Sequence, residues 1–137
     1  MDETLRPAPK PISLLATHAG STSEIAITGM VIDGVSGSLG YYTIKQGWKG
    51  KIYEIDVASE EEALAYLEEC KNLTTTPLAW LKIKTIKVAS KGHIGRSWRY
   101  PLIIEAYEYD TGIRVTFQQT TGGRIDVSMH GEASQLG

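Results

Sequence analysis

One cysteine and one phenylalanine occur among 137 residues. A lone thiol cannot close an internal disulfide, so Cys70 is expected to be a small buried apolar residue rather than part of a covalent framework. No apolar run approaches the roughly 20 residues that a membrane-spanning helix needs. The start, MDETLRPAPKPISLL, has acidic residues ahead of its first arginine and no sustained apolar segment, which is not the form of a signal peptide. A protein made and kept in the cytoplasm, or assembled there, is therefore expected, with no membrane partner. Charge of one sign is lacking too: 14 basic against 16 acidic side chains leave a net charge of −2. No chain-wide field draws in nucleic acid or an anionic surface, so any such partner needs a local basic patch.

The chemistry-bearing motifs are also few. There is no phosphate-cradling glycine loop, no dinucleotide fingerprint and no serine elbow. His18, His93 and His130 stand alone, with no second ligand at metal-binding spacing. Asp110-Thr111-Gly112 is the triplet of aspartic proteases, but it follows Tyr107-Glu108-Tyr109 and only 25 residues come after Gly112. It reads as a glycine-containing hairpin turn. No catalytic residue, metal or cofactor is expected, and the chain is not read as an enzyme.

What is present is a composition that folds: 42% apolar and 22% charged residues in a length suited to one domain. Pro7, Pro9 and Pro11 favour an extended, polyproline-like arm over residues 1–11. Residues 12–16 suit an edge strand, 24–32 a strand, and 33–40 (DGVSGSLG) a long hairpin loop. Strand, glycine-flanked turn and strand are expected over residues 41–46, 47–50 and 51–57, with Tyr53, Ile55 and Val57 on one face. Ser59 and Glu62 form a capping box ahead of ALAYLEEC. Ala63, Tyr66, Leu67 and Cys70 then fall on one helical stripe, which predicts a helix over residues 59–73.

Residues 78–89 suit a strand with a bulge near Thr85, its lysines outward. Residues 91–100 (KGHIGRSWRY) read as a basic-aromatic loop, and residues 102–129 as a meander. In its last hairpin Ile113, Val115 and Phe117 face Ile125, Val127 and Met129 in the core. The expected fold is α+β and strand-rich, with about seven or eight strands in two packed antiparallel sheets or a partly closed β-barrel, and one flanking α-helix. Residues 12–131 form its single domain, and residues 132–137 a C-terminal tail.

The order of elements resembles tail-tube and baseplate subunits of tailed phages and contractile injection systems. The matching pieces are Gly47-Trp48-Lys49-Gly50-Lys51 entering a strand, the helix with Thr76-Pro77-Leu78 behind it, and a strand led by Gly122-Gly123-Arg124-Ile125-Asp126-Val127. The resemblance implies a non-enzymatic structural protein of a phage tail or tail-like particle, located in a virion or in the cytoplasm, that self-assembles into a homo-oligomer with other structural subunits. Pro7, Pro9, Asp33, Val35, Leu39 and Trp48 are the candidates for contacts between subunits. The alternative is a small module for single-stranded nucleic acid, in which Trp48, Lys49, Lys51, Arg96, Trp98 and Arg99 combine cations for phosphates with rings for bases.

Overall fold

Alternating apolar and polar side chains, with glycine or polar breaks between the runs, build eleven strands and no helix among the described residues. The computed structural model describes residues 8–36 and 40–136, without the side chains of residues 36 and 96–100. The strands are β1 (Lys10–His18), β2 (Ile25–Ala26), β3 (Val31–Ile32), β4 (Val35–Ser36), β5 (Tyr42–Ile44), β6 (Trp48–Ser59), β7 (Ala63–Cys70), β8 (Leu81–Val88), β9 (Gly92–Ala106), β10 (Thr111–Gln119) and β11 (Ile125–Gln135). One antiparallel sheet has the order β4-β3-β1-β11-β6-β9. The other runs β2-β10-β7-β8, with β5 also paired to β10. The sheets are separate, and no barrel closes among the described residues.

The expected helix is strand β7. It lies between β10 and β8, which pair with it along its length. ALAYLEEC has strong helix formers, but a helix would strip a partner from residues 112–119 of β10, and tertiary context overrides such propensities. The segment also alternates: Ala63, Ala65 and Leu67 are buried toward the opposite sheet. Ser59 caps nothing. Its hydroxyl donates to the Glu61 carbonyl and accepts from Gln119 Nε2 at 3.0 Å, where the chain bends from one sheet to the other. Cys70 is buried, on a strand.

Most other differences share one cause, which is that consecutive strands cross between sheets instead of pairing. β5 pairs with β10 and not with β6. Trp48, Lys49 and Gly50 belong to β6 rather than to a turn. Thr111 and Gly112 begin β10, in the sheet opposite β9, so the Asp-Thr-Gly segment is not a hairpin turn. β10 and β11 form an arch, in which the alternation holds and the two apolar rows meet across the sandwich. Each fully buried Leu, Ile or Phe of that interior contributes about 1.5–3 kcal/mol.

The smaller corrections are local. β1 is interior, between β3 and β11, and not an edge strand. It takes in Lys10 and Pro11, which pair with Ala133 and Glu132 of β11. Residues 24–32 break at Gly29, whose φ of 69° suits glycine, into β2 and β3. Asp33 and Gly34, both at positive φ, make a two-residue turn between β3 and β4 where the long loop over residues 33–40 was expected to begin, and residues 37–39 of that loop lie outside the described residues. Tyr53 is the extra residue of a bulge in β6, which turns it outward while Ile55 and Val57 stay buried. The bulge in β8 falls at Ile83, where the register passes from Lys84 to Lys82. Residues 92–100 belong to β9, not to a loop.

Candidate interaction surface

At one end of the sandwich the starts of β1 and β6, the end of β11, the β3–β4 turn and β5 surround a cleft of ≈ 460 Å³. Asp33 holds its rim together. Its backbone N–H donates to the Ser13 carbonyl (2.8 Å), and its Oδ1 accepts from the Ser13 N–H (2.9 Å). Its Oδ2 accepts from the Tyr42 hydroxyl at 2.8 Å. Burial, and then the hydrogen bond to Asp33, push the Tyr42 phenol well above its ordinary range, so it stays a donor. Ile44 supplies the floor. Its Cδ1 approaches so closely that a Cβ on Gly50 would lie 2.8 Å from it. Trp48 is half-buried against the core, and the exposed Lys10 Nζ lies 5.2 Å from its ring centroid. Aromatic walls, one carboxylate and two lysines, Lys10 and Lys45, thus line the cleft.

Asp33 and Trp48 are thus brought together, whereas the other sequence candidates scatter. Val35 lies on β4, 70% exposed and directed away from packing. Pro9 is exposed just before β1. Alternation along β6 puts Lys49 and Lys51 on the face opposite Trp48, so a base stacked on that ring would not have those cations beside it. Pro7 and Leu39, and the side chains of Arg96, Trp98 and Arg99, lie outside the described residues. Tyr42, Lys10 and Ile44 escaped the sequence reading. The usable signal was Asp33-Gly34, a dipeptide suited to a tight hairpin, which fixes Asp33 beside β1.

A second surface is the lateral edge formed by β9. β9 is 15 residues long and ends the larger sheet, with β6 as its sheet neighbour. Its pairing jumps from Glu54↔Ser97 to Ile52↔Leu102. Beyond that jump Ile103, paired with Lys51, is 54% exposed, and Tyr53 at the bulge is 41% exposed.

The outer face of the smaller sheet carries a charge network. Glu68, almost fully buried, accepts from Arg114 Nε at 2.7 Å and has Lys82 Nζ at 3.7 Å. Lys82 reaches on to Glu24 at 2.9 Å and lies 4.5 Å from the Tyr66 ring centroid. The Arg114 guanidinium stacks on Trp80 at 4.3 Å. Every charge in it faces a partner, which is the arrangement of a brace. Among the described residues no three His, Cys, Asp or Glu side chains are grouped to hold a metal ion. Among the described residues no helix is long and apolar enough to cross a membrane.

No family model and no curated protein matches the sequence. Among solved structures, the globular domain of the zebrafish complement 1qA protein is similar, at 12% identity and TM-score 0.50. That match covers 88% of this chain and 94% of that one, and it shows a shared fold. A chain of Bacillus endospore appendages, disulfide-linked pili, matches at 8% identity and TM-score 0.49, covering 94% of this chain and 89% of that one. A chain of the cowpea mosaic virus top component matches at 7% identity and TM-score 0.38, covering 96% and 87%.

Proposed function

We propose that this protein is a non-enzymatic structural subunit that assembles with copies of itself, and that β9 forms the main contact. The observation that supports this most is the open edge of a strand 15 residues long. Such an edge presents backbone donors and acceptors that a strand of another chain can pair with. Pro101 and the register jump interrupt the row, which leaves a stretch on either side. The stretch over residues 102–106 has Ile103 and Tyr53 beside it, apolar groups that a pairing partner would cover. A closed ring joins two different surfaces of one protomer, and the cleft at the end of the sandwich offers the second. The sequence resemblance supplies a particular assembly, a phage tail or tail-like particle built with other structural subunits. Two of its three pieces still enter strands, β6 and β11, while its helix is β7.

Size exclusion with light scattering, and negative-stain imaging, from micromolar to millimolar protein test the proposal. A mass that rises to closed multimers is expected. Ile103→Lys should raise the concentration needed for assembly about tenfold, the effect of roughly 1.4 kcal/mol. A strictly monomeric mass across the whole range would overturn the reading.

A further inference from the structure

We infer that the cleft beside Trp48 is a docking groove for the proline-rich segment of a second copy of this chain, centred on Arg6-Pro7-Ala8-Pro9. The inference rests on the assembly reading, because the donor is another subunit. Proline-rich segments are recognised in grooves walled by aromatic rings, since their preformed extended helix loses little entropy on docking. The cleft has such walls in Tyr41, Tyr42 and Trp48. Its ≈ 460 Å³ lies within the range of about 300–1,000 Å³ common to ligand pockets. Charge is complementary as well: Lys10 and Lys45 at the rim suit Asp2 and Glu3 of the segment, and Asp33 suits Arg6. Asp33 can accept this contact while keeping its bonds to Ser13 and Tyr42, because a carboxylate offers about four acceptor sites.

The donor is a second copy for a geometric reason. Lys10 lines the cleft and also opens β1, so the segment leaves the body at the cleft's own rim. Reaching its own groove would need a reversal within residues 7–10. The position after the proline in a common turn must leave the extended region, yet Ala8 and Lys10 both precede a proline, which disfavours that. Ala8 and Pro9 are exposed and outside any strand. That local preference favours the groove of a neighbour over the chain's own.

The test uses full-length protein and a synthetic peptide of residues 1–9, MDETLRPAP. Two-dimensional NMR should show saturable shifts at the Trp48 indole N–H and the Thr43 and Ile44 amides. The peptide should also dissociate the multimers. Lys45→Glu, on the exposed rim, should weaken the peptide about fivefold, the size of one surface charge pair. Full-length Pro7→Gly/Pro9→Gly should assemble less readily while its fold, read from the same spectrum, is unchanged. Multimers that ignore saturating peptide and the double glycine variant, yet dissolve with Ile103→Lys, would overturn this inference and leave the assembly reading standing. A monomer that binds the peptide at Trp48 would overturn both assembly through β9 and the second copy as donor, leaving the groove to the chain's own segment. A monomer that shows no shifts would overturn both.

Discussion

On one lateral side of the sandwich the sheets end in fragments: β2 and β4 are two residues each, and β5 is three. On the other side β8 runs for 8 residues and β9 for 15. The fragmented side is broken by residues that suit only turns, Gly29, Asp33 and Gly34 among them, and it offers a neighbour no continuous ladder. The long side keeps its ladder but places three lysines outward on β8 and a register jump within β9. Two ways of restraining an edge therefore occur in one molecule, and the less complete one is on β9. The short side encloses a cleft instead, because short pieces can turn inward around Asp33 and Tyr42.

The two sides hang on a common spine, β11 paired with β6, and its failure should erase the comparison altogether. A Cβ on Gly131 would lie 2.1 Å from the Lys51 carbonyl oxygen and 3.1 Å from Ile52 Cα, both backbone atoms that cannot turn aside. Gly131→Ala is expected to cost about 2–4 kcal/mol by overpacking. Urea unfolding measures the loss, and hydrogen exchange should show β1 and β9 losing protection together. A change confined to one side would mean that the sides are not joined through this pair.

A cross-tie comes next. Lys82 of the long side meets Glu24 of the short side, and Glu68 beneath holds Lys82 and Arg114. Glu68→Gln removes the charge that both cations face, and about 1.5–3 kcal/mol should be lost, the range for hydrogen bonds to charged groups. Exchange should rise first at β2 and β8, which the tie connects, while β1 and β11 keep their protection. Equal loosening everywhere would argue against a tie.

How much of this was legible follows from what alternation can say. The inward rows Ile113, Val115, Phe117 and Ile125, Val127, Met129 were readable, because period two identifies the buried face whatever the partner. The partner was not readable. A short connection after Gln119 looks the same whether it closes a hairpin or arches to the opposite sheet. β7 was hidden for a related reason: its local preference is helical, and only its distant neighbours β8 and β10 make it a strand. At the cleft, Asp33 and Trp48 stood out as a turn residue and an aromatic at a glycine. Lys10 and Tyr42 join them only because β1 and β5, in different sheets, begin near one another.

On the short side alone, Tyr42→Phe should remove the hydroxyl bond to Asp33 and cost about 1 kcal/mol at neutral pH. The Tyr42 phenol is held above its ordinary value near 10, so its contribution is full below about pH 10 and is lost as pH rises beyond it. The gap between wild type and variant in urea unfolding should therefore narrow at alkaline pH. A constant gap would assign the loss to packing instead.

The smallest effect is expected where neither side is involved. Asp126, on the outer face of the larger sheet, accepts from Arg124 Nη2 at 3.0 Å and from the Thr17 hydroxyl at 2.7 Å. The hydrogen bond from Arg124, and then that from Thr17, hold its carboxyl below the ordinary value. A depressed carboxylate adds stability above its unfolded value of about 3.9, and that stability is lost as pH falls through the folded value. Because the pair is largely exposed, Asp126→Asn should cost only about 0.5 kcal/mol at pH 7. The difference should shrink as pH falls below about 3.9 and through the folded value, and assembly and peptide binding should be unaffected. A larger loss, or one that persists in acid, would mean that the outer face of the larger sheet couples to the sides, and that the contrast between them is not local.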